Sequence, residues 1–173
     1  EKLGFSVTVL SKLELGGEVV SSTRIRSLIG TGKMELANEL LGTPYFLTGV
    51  VQKGNQLGRT METPTANIYP DAYKVLPPYG VYAVIVDVEG KRYKGICNLG
   101  VKPTIPGENE VGFEVWLFDL SGDLYDKELT TYFVSFLQEE RKFASLTQLK
   151  EQITRDTVLA KQILSQKESE WHP

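Results

Sequence analysis

The sequence predicts a mainly β protein: an antiparallel barrel or sandwich, preceded by short helical pieces and closed by one long helix. Three observations carry that expectation. From Tyr45 to Leu137, segments rich in β-branched and aromatic residues follow one another with no helical pattern between them, which argues against the strand–helix alternation of a parallel sheet. Glu89-Gly90 and Ser121-Gly122-Asp123 place short turn chemistry between consecutive strands, as antiparallel hairpins require. Beyond Ser145, apolar residues recur at helical spacing instead.

The elements follow in order. Phe5 to Leu10 reads as a short strand and Leu15-Gly16-Gly17-Glu18 as a turn. Ser22 or Thr23 caps a helix carrying Ile25, Leu28 and Ile29, with Gly30 as its stop. A second short helix places Leu36, Leu40 and Leu41 on one side and ends at Gly42, and Pro44 closes the helical section. The strands are Tyr45–Gln52, Val81–Val88, Arg92–Asn98, Gly112–Leu120 and Glu128–Leu137. Ser145-Leu146-Thr147-Gln148 is a capping box. It opens a helix to about Gln166 whose apolar stripe is Leu146, Leu149, Ile153, Ala160 and Leu164.

Composition narrows the function classes. The chain has 173 residues, 19 basic against 22 acidic side chains and a net charge of −3, so it shows no nucleic-acid footprint. The longest apolar run, Val81 to Val86, falls far short of the roughly 18 residues of a membrane span. A single cysteine, Cys97, is compatible with a reducing, cytoplasmic setting. The one histidine, His172, is next to last, which argues against a histidine-based triad or zinc site. The chain begins at Glu1 rather than Met, which suggests a piece of a longer protein.

Four segments are candidates for chemistry. In Lys53-Gly54-Asn55-Gln56-Leu57-Gly58-Arg59-Thr60, two glycines and two cations suit either a phosphate cradle or a flexible hairpin loop. Pro64-Thr65-Ala66-Asn67 is extended by its proline. Thr65 and Asn67 then share a face and offer hard oxygens of the kind Mg²⁺ accepts, or else bond locally to backbone. In Phe113-Glu114-Val115-Trp116-Leu117-Phe118, Phe113, Val115 and Leu117 take one face. Glu114, Trp116 and Phe118 take the other, so Glu114 is either a general base among apolar neighbours or an edge glutamate reaching water. Gln138-Glu139-Glu140-Arg141-Lys142-Phe143 either holds a planar polar ligand or is a solvated charge run.

Together these segments resemble the riboflavin kinase module of the bacterial bifunctional riboflavin kinase/FMN adenylyltransferases, over about Val20 to Leu164. The marks are Ser21-Ser22-Thr23-Arg24-Ile25-Arg26, Glu35 to Gly42, Gly58-Arg59 with Pro64-Thr65-Ala66-Asn67, and Asn98-Leu99-Gly100 with Lys102-Pro103-Thr104. Glu114, Gly122-Asp123-Leu124-Tyr125 and Glu140-Arg141-Lys142-Phe143 complete them. The resemblance implies a six-stranded Greek-key barrel with a C-terminal helix, transferring the γ-phosphoryl group of ATP to the riboflavin 5′-hydroxyl to give FMN. It assigns Mg²⁺ to Thr65 and Asn67, and ATP to Lys53, Gly54, Gly58, Arg59, Thr65 and Tyr125. It assigns the flavin to Gln138, Arg141 and Phe143, and the base to Glu114. The partners implied are ATP and riboflavin, with no nucleic acid and no membrane.

The resemblance also implies a partition. Residues 1–42 form the end of an adenylyltransferase domain with linker helices, 43–167 the kinase domain and 168–173 a tail. Because the His-x-Gly-His motif of the adenylyltransferase half is absent, this chain is expected to make no FAD from FMN. The sequence departs from the family pattern at Met61-Glu62-Thr63, where Leu-Gly-Phe is usual, and at Gln138, where arginine is common. Trp116 stands at a frequent histidine and Asp126 at a frequent glycine. Two alternatives remain: a flavin-binding regulatory barrel without turnover, and a flavin reductase-like split barrel. Bleaching of bound flavin by NAD(P)H distinguishes the second.

Overall fold

The computed structural model describes residues 4, 6–52, 65–105, 108–120 and 122–167. A two-residue hairpin, β1 (Glu14–Leu15) and β2 (Glu18–Val19), turns at Gly16-Gly17 and leads into helices α1 (Ser22–Gly30) and α2 (Met34–Leu41). Six strands follow: β3 (Tyr45–Val50), β4 (Thr65–Ile68), β5 (Gly80–Val88), β6 (Lys91–Ile105), β7 (Glu108–Leu117) and β8 (Glu128–Glu139). Helix α3 (Leu146–Lys167) ends the described chain.

The six strands form one sheet in the order β3-β8-β5-β6-β7-β4, with every pairing antiparallel. The sheet curls until its two edges meet. Gln52, just past β3, donates its backbone N–H to the Asn67 carbonyl on β4 at 2.8 Å. Gly49 on β3 lets the edges approach, since a Cβ there would lie 2.6 Å from the Ile68 side chain.

Strand alternation gives the curled sheet two apolar faces. Inward, Leu47, Ala66, Ile68, Tyr82, Val84, Cys97, Phe113, Val115 and Phe133 fill the core. Met34 of α2 is fully buried in the same core, and Asn38 ties α2 to the sheet. Its Nδ2 donates to the Phe133 carbonyl, and its Oδ1 accepts from the Tyr45 N–H, each at 2.8 Å. Outward, Ala83, Ile85, Ile96, Phe118 and Val134 pack against Ala160 and Leu164 of α3.

Several expectations need correction. Residues 6–10 form no strand; they are exposed and carry too few apolar partners to join a sheet. Ser21, one residue earlier than expected, caps α1 by accepting from the Arg24 N–H, and the helix includes Gly30. In α2, Met34 and Ala37 are the buried residues, whereas Leu36 and Leu41 are exposed. The expected Ser121-Gly122-Asp123 hairpin is not one: β7 pairs with β6 and β4, and β8 crosses to β3 and β5. Pairing with β5 and β3 lets β8 bury Phe133 against Tyr82 and Tyr45.

Gly95 on β6 supplies a test of the sheet. A Cβ there would collide with the Trp116 backbone carbonyl oxygen on β7, and backbone, unlike a side-chain tip, cannot rotate away. Gly95→Ala is expected to cost about 1–3 kcal/mol, measured by chemical denaturation. An unchanged denaturation midpoint would contradict this packing.

Candidate active site

The site is built on the outward face near the sheet edge. On β4, Ala66 and Ile68 are buried inward, so Thr65 and Asn67 point outward. On β7, Phe113, Val115 and Leu117 are buried inward, which leaves Glu114 and Trp116 outward. Register then aligns them: Asn67 on β4 opposes Glu114 on β7, which opposes Asn98 on β6. Opposed residues of antiparallel strands share a face, so Asn67, Glu114 and Asn98 form one polar row. The Asn98 Oδ1 is buried with no hydrogen-bond partner among the described residues, an acceptor left open beside the carboxylate.

This row borders an open cleft of about 360 Å³ between the sheet and the start of α3. Thr65, Asn98 and Glu114 give its polar side; Val81, Ile96, Trp116 and Phe143 give an apolar, partly aromatic side. The loop carrying Arg141 and Phe143 is fixed at the helix cap. The Gln148 N–H donates to Ser145 Oγ, while Gln148 Oε1 accepts from the Ala144 N–H, each at 3.2 Å. The return contact therefore lands one residue before the cap. A cleft of this size, with an apolar side and convergent polar groups, suits a small molecule.

The riboflavin kinase family model, Flavokinase, matches residues 41–164. This chain belongs to the riboflavin kinase family. Bifunctional riboflavin kinase/FMN adenylyltransferases are similar to it: that of Pseudomonas fluorescens is 42% identical over 91% of this chain and 50% of its own length. That of Bacillus subtilis is 40% identical over 86% of this chain and 48% of its own. The chain thus spans about half the length of these curated relatives. The crystal structure of a Streptococcus pneumoniae protein named as a macrolide-efflux protein matches with a TM-score of 0.80 at 34% identity. It covers 87% of this chain and 49% of that one. Riboflavin kinase from Trypanosoma brucei matches with a TM-score of 0.50 at 23% identity, over 70% of this chain and 80% of that one. This last likeness is one of fold.

Within this riboflavin kinase fold, the structure gathers Thr65, Glu114, Gln138, Arg141 and Phe143 around one cleft. Asn67 stands beside Glu114 in the row. Tyr125 is elsewhere, packed partly against the inner core. Its loop lies beside Val51, through the Asp126 N–H to the Val51 carbonyl and the Val51 N–H to the Lys127 carbonyl. That places it next to Val51, near the end of the described segment 6–52. Lys53, Gly54, Gly58 and Arg59 lie outside the described residues, as do Met61, Glu62 and Thr63. Asp126 has φ 63°, the left-handed backbone that suits the glycine common there.

Two cleft residues escaped the sequence reading. Asp156 is buried on α3 at 6% exposure, and Gln152 stands one turn before it. The signal was a carboxylate inside the apolar stripe, three residues after Ile153 and four before Ala160. Among the described residues, no helix is long and apolar enough to cross a membrane, and no cluster of three His, Cys, Asp or Glu is placed to hold a metal.

Proposed function

We propose that this chain is a riboflavin kinase module, transferring the γ-phosphoryl group of ATP to the riboflavin 5′-hydroxyl to give FMN and ADP. On this reading it works in the cytoplasm, within a longer protein that also carries FMN adenylyltransferase activity. The observation that carries the proposal is Glu114, held in register between Asn67 and Asn98 at the mouth of an aromatic-sided cleft. Such a carboxylate is the group a kinase needs to take the proton of an attacking hydroxyl. Family membership favours this over the reductase-like alternative.

The residues divide the work. Phe143 and Trp116 flank the flavin ring, and the Arg141 loop closes over it. The ribityl chain runs along the outward face, where the open Asn98 Oδ1 accepts from one of its hydroxyls. Glu114 takes the proton of the 5′-hydroxyl as its oxygen bonds to the γ-phosphorus. The bond from that phosphorus to the bridging oxygen breaks, and ADP leaves.

The donor set fits Mg²⁺. Thr65 and Asn67 present a hydroxyl and an amide oxygen on one face of β4, and a metal that keeps waters and phosphate ligands needs few protein oxygens. Thr65 and Asn67 would hold the metal, and it would supply charge neutralisation on the phosphates. The Gly54–Arg59 segment and Tyr125 are proposed to meet ATP.

Mixing the chain with riboflavin, ATP and Mg²⁺ and separating the flavins by chromatography tests the proposal. FMN accumulation supports it; unchanged riboflavin defeats it. Asn67→Ala is expected to raise the Mg²⁺ concentration for half-maximal rate about tenfold, the effect of losing one ligand interaction of ~1.4 kcal/mol. Part of the lost rate should return with added metal. An unaltered metal dependence would remove Asn67 from this role.

A further inference from the structure

Asp156 is a buried acid without a cation: among the described residues, its side-chain partners are two neutral amides. Gln138 on β8 donates Nε2–H to Oδ2 at 2.6 Å, and Gln152 on α3 donates Nε2–H to Oδ1 at 2.9 Å. All three residues line the cleft. An ionised carboxylate only accepts, so each amide must turn its nitrogen toward Asp156. For Gln138 that leaves Oε1 and the second Nε2–H, an acceptor and a donor on one amide whose turn the Asp156 bond sets. The complement is a planar ring edge with an N–H beside a carbonyl.

We propose that Gln138 reads the imide edge of the flavin ring, and that Asp156, anchored in turn by Gln152, is the positioning residue that sets the amide for it. This rests on the riboflavin reading of the cleft. Gln138 Oε1 accepts from the imide N–H, and its free Nε2–H donates to the adjoining carbonyl oxygen. The arrangement gives the glutamine a specific use at a position where the family resemblance leads one to expect arginine. An arginine has no acceptor and cannot accept a hydrogen bond from an imide N–H.

The test compares riboflavin with 3-methylriboflavin, which lacks that N–H, by fluorescence titration of the full chain. The wild-type protein is expected to bind the methylated flavin about 10–100-fold more weakly, the effect of a lost hydrogen bond with its acceptor left unpaired. Gln138→Met should weaken riboflavin binding and bring the ratio of the two dissociation constants close to one. Asp156→Asn keeps the shape but adds a donor, so one glutamine must flip. Flipping Gln138 would turn its nitrogen to the imide N–H, and the ratio should shrink although Gln138 is intact. Should that variant fail to fold, Gln152→Met removes the anchor and asks the same question. A ratio near one in the wild type, or one that survives Gln138→Met, overturns the inference while leaving the kinase reading standing. A ratio unmoved by both Asp156→Asn and Gln152→Met overturns the positioning role. Failure of the wild type to bind riboflavin overturns the kinase reading, and this inference with it.

Discussion

Replacing Glu114 by glutamine is expected to lower turnover by roughly 10²–10⁴-fold, the usual contribution of a positioned base. That corresponds to about 3–5 kcal/mol in the activation barrier. The substitution keeps the size of the side chain and its place in the row between Asn67 and Asn98, but an amide cannot take the hydroxyl proton. Riboflavin and ATP should therefore bind nearly as before. Rapid-quench measurement of the first turnover, with equilibrium titration of each substrate, separates the two effects. Near-normal turnover would reduce Glu114 to a structural residue of β7.

The largest expected loss of stability comes from Phe133→Ala. Phe133 on β8 is fully buried. Its ring meets Tyr82 at 5.1 Å, Phe113 at 6.1 Å and Tyr45 at 6.5 Å between centroids. It thus joins strands β3, β5, β7 and β8 in one aromatic cluster. Truncation leaves a cavity that the rigid sheet cannot collapse to fill, at a cost of about 3–5 kcal/mol. For a chain of this size the melting temperature should fall by roughly 6–20 °C, read by calorimetry. Phe133→Leu, which refills much of the space, should lose clearly less. Equal losses for the two variants would mean that cavity formation is not the dominant cost.

How far the sequence was legible depended on how local the signal was. The faces of Phe113–Phe118 followed from alternation alone, because an inward Phe113, Val115 and Leu117 leaves Glu114 only one side. The Glu89-Gly90 turn announced the β5–β6 hairpin, and both residues do take positive φ, 52° and 79°. Strand β4 has only four residues, too short for a periodic signal, so its place beside β7 was not readable. Nor was the crossing of β8 past β7, since the turn at Gly122 fixes local geometry but not which distant strand is paired. In the site, Glu114, Thr65 and Asn67 were readable as residue types. Asp156 was marked only by its place in the apolar stripe, and its bond to Gln138 was not readable, because that partner arrives from another element.

The most direct test of the account is a crystal structure of this chain with riboflavin and ADP. The flavin ring is expected against Phe143 in the cleft beside α3. The terminal ribityl hydroxyl should lie about 2.6–3.2 Å from the Glu114 carboxylate, the reach of a general base. A flavin bound outside that cleft, or one whose terminal hydroxyl turns away from Glu114, would contradict it.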